Sequence, residues 1–93
     1  MKVYHASRNP DLLELGIKKN QPTSCSIYDL SMHVYVGTAN YIYNQYLKYC
    51  PKGTYYIYEI EVDLNDFEEL PAKGQWRTTK DLMPQKIVDK VTV

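Results

Sequence analysis

The sequence predicts an α+β fold in which a β-sheet carries two short helices. Segments with strand and helix patterns follow one another as strand, helix, strand, helix and then three strands, which differs from the regular alternation of βαβ units. The chain has 93 residues, of which 44% are hydrophobic, and this length and composition are typical of one small globular domain. We therefore expect residues 1–93 to form a single domain with a modest core.

The chain is expected to begin with a strand and a short helix. The segment KVYHAS, residues 2–7, is rich in β-forming residues and predicts the first strand. NPDLLELG, residues 9–16, predicts a helix of about two turns, because Asn9 can cap it and Pro10 suits its first helical position. Polar residues and a proline predict a loop over residues 17–32.

A second strand and a longer helix are expected next. HVYVGT, residues 33–38, is compact and β-branched, and its last residue, Thr38, can cap a helix over residues 39–50. Pro51 ends that helix. The apolar and aromatic positions of the helix follow the i, i+3, i+4 rule: Ile42, Tyr43, Tyr46, Leu47 and Cys50.

The clearest strand is TYYIYEIEVDL, residues 54–64. Successive side chains of a strand point to opposite sides of the sheet, so one face is apolar and the other begins apolar and ends acidic. QWRT, residues 75–78, predicts a short fourth strand, and residues 83–93 predict the last one. The two faces of residues 54–64 are Tyr56, Tyr58, Ile60 and Val62 on one side and Tyr55, Ile57, Glu59 and Glu61 on the other.

Composition excludes several classes of partner. Eleven Lys and Arg residues balance eleven Asp and Glu residues, so the chain lacks the positive field that broad capture of nucleic acid or of an anionic membrane needs. No segment approaches the roughly 20 apolar residues of a membrane span, and the N-terminal residues have no apolar signal-peptide core. We therefore predict a cytoplasmic protein without a membrane partner, and we expect no broad electrostatic capture of nucleic acid.

The cysteines and histidines do not have the spacing of metal ligands. Cys25 and Cys50 lie far apart and form no CxxC pair. In a reducing cytoplasm they are predicted to be free thiols, and no metal site is expected.

Two strand ends form the candidate site. His5 is followed by Ala6 and Ser7, and Tyr35 lies just before a Gly-Thr turn. Small residues let a ligand approach the backbone, and hydroxyl groups supply directional hydrogen bonds. The ten tyrosines of the chain suit a stacking pocket, but they also suit a small core in which Tyr replaces Phe. Both interpretations stay open at this point.

These motifs resemble those of the ADP-ribosyltransferase-like superfamily, which includes poly-ADP-ribose polymerases, small bacterial toxins and RNA 2'-phosphotransferases. VYHAS, a short helix and a loop are followed by VYVGTANYIYNQY and YYIYEIEVD, in the order and spacing of that superfamily and across nearly the whole chain. The resemblance implies a small ADP-ribosyltransferase-like split β-sheet with two short helices. The RNA branch is less similar, because the only arginines are Arg8 and Arg77.

The resemblance implies a split pocket for NAD or an ADP-ribose-type nucleotide. His5 would hydrogen-bond the adenosine ribose, and the backbone of Ala6 would hold the nicotinamide amide. Ser7 or Thr38 would assist there, and Arg8 is a candidate contact for the diphosphate.

The nicotinamide ring would lie between two tyrosines. Tyr35 would stack on one side and Tyr41 would close the other, as suits a flat cationic ring. In this arrangement His5 and Tyr35 line one pocket. The superfamily usually has Gly where this chain has Ala6, and the added methyl group narrows the approach to the backbone.

The third motif of the superfamily is a Glu on a later strand, which stabilises the oxocarbenium-like state as nicotinamide leaves. In this chain Gln75 stands at that place, and a neutral amide cannot supply the negative charge. Glu59 and Glu61 on the third strand are the catalytic candidates beside Gln75, while Glu68 and Glu69 in a turn are expected to be surface charges.

Three functions remain open. The preferred one is binding of NAD or an ADP-ribose-type nucleotide by a catalytically inert, nucleotide-sequestering protein. The first alternative is a minimal NAD-dependent ADP-ribosyltransferase that modifies a protein or a nucleic acid, and the second is a small protein-interaction module. A homo-oligomer with a shared pocket also stays open, because so short a chain has difficulty enclosing a dinucleotide alone and Tyr-rich faces suit protein contacts.

Overall fold

One continuous antiparallel β-sheet forms the centre of the computed structural model, which describes residues 1–19, 33–71 and 73–93. Its strands are β1 (Lys2–Ser7), β2 (Val34–Gly37), β3 (Thr54–Glu61), β4 (Glu68–Glu69), β5 (Gln75–Thr78) and β6 (Lys86–Thr92). They lie in the order β4-β5-β2-β1-β3-β6, and every neighbouring pair is antiparallel. This order places β1 inside the sheet, between β2 and β3.

The helices are short. α1 is a single turn, Leu12–Leu15. A helical segment over residues 39–49 consists of an α-helical turn, a π-type stretch and a 3₁₀ turn, with the bounds Ala39–Tyr41, Ile42–Tyr46 and Leu47–Tyr49. Another 3₁₀ turn, Leu64–Asp66, precedes β4.

The predicted fold class, an α+β fold with an ADP-ribosyltransferase-like split sheet and two short helices, is wrong. The sheet is continuous over six strands, and one 11-residue helical segment supplies most of the helical structure of the described residues. The helix predicted over residues 9–16 is a single turn that begins at Leu12 and ends before Gly16, whose φ of 78° leaves the helical region. β4 is an edge strand where a turn was expected.

The sheet has a hydrophobic cluster on each side. Strand alternation and register define face 1, which carries Val3 and Tyr58, and face 2, which carries Ala6 and Ile57. Face 1 packs against α1, and face 2 packs against the helical segment 39–49. The predicted division of β3 between two faces is confirmed, since Tyr58 and Ile57 belong to different clusters.

Two fully buried tyrosines keep their hydroxyl groups paired. The Tyr58 hydroxyl donates to the Asn9 carbonyl at 2.5 Å and accepts from the Leu12 amide at 3.2 Å. The Tyr55 hydroxyl donates to the Pro51 carbonyl at 2.6 Å. Burial raises the pKa of Tyr58, so this hydroxyl stays protonated. Each ring therefore adds apolar area to the core while its hydroxyl fixes a neighbouring turn.

Candidate functional site

The junction of β1 and β2 contains the candidate site. Tyr4 of β1 lies opposite Gly37 of β2, whereas β1 pairs with β3 at all six of its residues. Next to the Tyr4–Gly37 pair, the His5 side chain bridges the two strands, because its Nδ1 lies 2.8 Å from the Tyr35 carbonyl oxygen. The His5 side chain thus supplies a hydrogen bond between β1 and β2 beside their paired residues.

The His5 ring is neutral and held in one orientation. Burial lowers the pKa of His5, and the hydrogen bond to the Tyr35 carbonyl opposes that shift with a smaller effect. A carbonyl oxygen only accepts, so the hydrogen-bond partner assigns the proton to Nδ1. Nε2 is then an acceptor.

The sheet separates the two side chains that were predicted to line one pocket. His5 alternates in step with buried Val3 and lies on face 1, with Ser7. Tyr35 alternates with the buried residues Val34 and Val36 and lies on face 2. His5 therefore contacts the Tyr35 backbone, but the two side chains lie on opposite faces of the sheet and do not line the same side of a pocket.

Three of the predicted ligand residues, Ala6, Thr38 and Tyr41, come together on face 2. Tyr41 packs against the cluster that contains Ala6, and its ring covers Gly37, where an added Cβ would lie 2.7 Å from Tyr41 Cδ1. Thr38 Oγ1 accepts the Tyr41 amide at 3.1 Å, which confirms the predicted helix cap. Tyr35 lies two residues before Gly37 on the same face.

The Tyr35 side chain belongs to a polar cluster with β4 and β5. It lies opposite Arg77, whose Nε donates to Glu68 at 2.8 Å. Hydrogen bonds to Glu68 and then to Tyr35 raise the pKa of Arg77, and the bond from Arg77 lowers the pKa of Glu68. The ring of His33 lies 6.2 Å from that of Tyr35. Glu69, the other residue of β4, is exposed.

Ser7 and Arg8 make structural contacts. Ser7 Oγ accepts the Asn9 amide at 3.1 Å. The Arg8 guanidinium donates to the Tyr55 hydroxyl at 3.2 Å and to the Lys52 carbonyl at 3.0 Å, and it lies 5.3 Å from the centre of the Tyr55 ring. The Arg8 contacts connect the chain after β1 to the first residues of β3 and the turn before them. The ligand roles of Ser7 and Arg8 stay predictions.

Two of the catalytic candidates lie in one row across face 2. Register places Lys86, Glu59, Tyr4, Gly37 and Gln75 side by side on β6, β3, β1, β2 and β5. Neighbouring strands are about 4.8 Å apart, so the backbones of Glu59 and Gln75 are separated by about 14 Å. The row therefore does not place a carboxylate beside Gln75.

The two glutamates of β3 have different surroundings. Glu59 is 9% exposed, accepts from the Tyr4 hydroxyl at 3.3 Å and lies 4.0 Å from Lys2 Nζ and 3.6 Å from Lys86 Nζ. Glu61 is exposed and pairs with the terminal ammonium group at 2.9 Å. The sequence alone does not identify Tyr4 and Lys86 as partners of Glu59. Alternation within KVYHA places Tyr4 on the face of Ala6, but only the register identifies its partner.

Three cavities lined by described residues lie away from this row. One of about 420 Å³ opens between the helical segment 39–49 and the end of β6. A second, of about 260 Å³, adjoins the Arg77–Glu68 pair. The third, of about 180 Å³, lies between Phe67 and Leu82.

Residues 1–19, 33–71 and 73–93 contain no group of three or more His, Cys, Asp or Glu side chains that could hold a metal ion. In the same ranges, no helix has both the length and the apolar character that a membrane crossing requires. Cys50 is disulfide-bonded, so the prediction of a free thiol is wrong for Cys50. Cys25 and residues 20–32 of the predicted loop lie outside the described residues.

No protein-family model, curated protein or solved structure matches this chain. The resemblance to the ADP-ribosyltransferase-like superfamily therefore stays a prediction from the quoted motifs.

Proposed function

We propose that the protein binds NAD or an ADP-ribose-type nucleotide at the junction of β1 and β2 and does not transfer ADP-ribose. The observation that carries this proposal is the neutral His5 ring, whose Nδ1–H is committed to the Tyr35 carbonyl. Nε2 remains to accept a hydrogen bond, and a ribose hydroxyl is a suitable donor. Because burial lowers the pKa of His5, this acceptor persists through the physiological pH range.

Face 2 offers aromatic surface to a flat ring. Tyr41 covers Gly37, and Tyr35 lies two residues away on the same face of β2, at about 6.6 Å along the strand. That distance is comparable with the spacing of two rings that enclose a third. A dinucleotide reaches both faces by passing Ser7 and Val34, where β1 ends and β2 begins.

The charges favour binding over transfer. A transferase needs negative charge beside the ribose carbon that loses nicotinamide. Gln75 is neutral, and Glu59 lies two strands from Gly37, at about 10 Å, with its oxygens held by Tyr4 and two lysines. We therefore propose that the nucleotide is held and not consumed.

Calorimetry with ADP-ribose tests the contribution of His5. The unsubstituted chain is expected to bind saturably, and His5→Phe is expected to weaken binding about fivefold to tenfold because one hydrogen bond to ribose is lost. His33→Phe is the matched control and leaves the affinity unchanged. If the unsubstituted chain shows no saturable binding of NAD or ADP-ribose, the proposal is wrong and the protein-interaction module becomes the preferred function.

Calorimetry with NAD tests the aromatic surface. Tyr41→Ala is expected to weaken NAD more than ADP-ribose, because only NAD carries the nicotinamide ring. Tyr49→Ala changes a tyrosine of the same helical segment that is 84% exposed, and it should leave both affinities unchanged. Unfolding midpoints of all variants establish that each one is folded.

Incubation with labelled NAD distinguishes this proposal from the transferase alternative. We expect no release of nicotinamide above the rate in buffer. Release that Glu59→Gln or Gln75→Ala abolishes would contradict the inert binder and establish a transferase, whose protein or nucleic-acid target would then have to be identified.

The predicted cytoplasmic location is not part of this proposal, because disulfides such as that of Cys50 are rare in reducing compartments.

A further inference from the structure

A groove on face 2, away from the junction of β1 and β2, has the features of a second binding site. It lies between the helical segment 39–49 and the end of β6 and has a volume of about 420 Å³, within the usual range for small-molecule sites. Tyr43 and Leu47 line it from the helical segment, and Val91 and Val93 line it from the other side. The interior of the groove is therefore mainly apolar.

Two lysines, Lys48 and Lys52, also line this groove. The ion pairs found among the described residues involve other cations, so neither lysine is neutralised by a described carboxylate. Asp89 is the acidic residue nearest to this wall along β6, and its oxygens accept from the Tyr43 hydroxyl at 2.7 Å and from the Lys90 amide at 2.8 Å. Among the described residues, the groove thus presents two ammonium groups without an ion-pair partner beside a mainly apolar surface.

We propose that this groove binds the anion of a medium-chain fatty acid of about ten carbons, whose chain fills the apolar part. Its carboxylate lies between Lys48 and Lys52, where two ammonium groups supply charge-assisted hydrogen bonds. Charge complementarity favours this ligand. An alcohol of the same length has no negative charge for the two lysines, and a small carboxylate has no alkyl chain for the apolar part.

Titration with decanoate below its micelle-forming concentration tests the site, with binding followed by calorimetry. Decanoate is expected to bind saturably, with decanol at least tenfold weaker. Octanoate should also be roughly fifteenfold weaker than decanoate, because it lacks two methylenes and each contributes about fourfold in affinity. Absence of saturable decanoate binding, or equal affinity for decanol, would overturn the proposal.

Paired substitutions locate the carboxylate. Lys48→Gln with Lys52→Gln is expected to lower decanoate affinity at least fivefold while leaving decanol binding unchanged. Lys73→Gln changes an exposed lysine that does not line the groove, and it should leave both affinities unchanged. If the double variant binds decanoate as tightly as the unsubstituted chain, the anion does not lie between these lysines and the proposal fails. Saturating NAD should leave decanoate affinity unchanged, since the two sites are separate.

Discussion

Tyr4 of β1 and Glu59 of β3 lie directly opposite each other on face 2, and the Tyr4 hydroxyl donates to Glu59 Oε1 over 3.3 Å. Lys2 and Lys86 contact the same carboxylate. Desolvation, and after it the charge of Glu59, raise the pKa of Tyr4, so its hydroxyl remains a donor at physiological pH. A carboxylate that is only 9% exposed is thereby kept satisfied, as a buried charge requires.

Tyr4→Phe is expected to lower the free energy of unfolding by about 1–2 kcal/mol, because Glu59 loses a hydrogen bond while it stays largely buried. Urea denaturation followed by circular dichroism measures this loss. Tyr49→Phe, at an exposed tyrosine, should not change the stability. In the Glu59→Gln background the cost of Tyr4→Phe should shrink, and an undiminished cost would show that the hydroxyl stabilises the protein through another contact.

His5 is expected to make stability pH-dependent below neutrality. Burial lowers the pKa of His5 in the folded protein, so below the unfolded value of about 6.5 the unfolded chain binds a proton that the folded chain does not. The free energy of unfolding should therefore fall as the pH falls, by at most about 1.4 kcal/mol per pH unit until the folded pKa is reached.

Urea denaturation at intervals from about pH 7.5 to pH 5.5 measures how steeply the free energy of unfolding depends on pH, and thus the contribution of His5. His5→Gln should flatten the profile across this window, whereas His33→Gln should leave it steep. A profile that is equally steep in His5→Gln would assign the dependence to other groups.

Gly37→Ala is expected to destabilise the protein by about 1–3 kcal/mol, because the new Cβ would lie 2.7 Å from the Tyr41 ring and 3.0 Å from the Gly74 carbonyl. The Tyr41 ring must then move away from Gly37 and loses its packing against β2. Thermal unfolding measures the cost, and the aromatic NMR signals of Tyr41 report the displacement. In a Tyr41→Ala background the same substitution should cost less, and an equal cost would implicate the Gly74 carbonyl instead of the ring.

Cys50 is expected to resist alkylation by iodoacetamide in denaturant and to react after a reductant is added, because it is disulfide-bonded. Peptide mass spectrometry identifies the labelled residue. Samples should be purified without reductant, and the alkylating agent should be present at lysis. Labelling of Cys50 before reduction would contradict the disulfide.

Local pattern was sufficient for several elements. The two-residue period of a strand predicted correctly that Tyr58 and Ile57 lie on opposite faces of β3. Thr38 caps the following helical segment as expected, since a cap depends on neighbouring residues. Asn9 also makes a local hydrogen bond, which its side-chain oxygen accepts from the Asp11 amide, but the helix begins only at Leu12.

The relative positions of the candidate site residues could not be predicted in the same way. Whether His5 and Tyr35 share a face depends on the register that pairs Tyr4 with Gly37, and a shift of one residue would reverse it. The same register decides that Glu59 meets Tyr4 and lies far from Gln75. The spacing of motifs along the chain does not determine strand register. The sequence therefore predicts which residue types are candidates but not which of them lie close together.

The central position of β1 determines how the sheet must assemble. Val3 pairs with Ile60, so this ladder closes a loop of more than fifty residues before its contacts contribute any free energy. Such loops cost chain entropy that grows with length, and folds dominated by distant pairings are slow to form. Until Thr54–Glu61 docks, β1 lacks its longest partner, and that docking is therefore the step that we expect to limit the rate of folding.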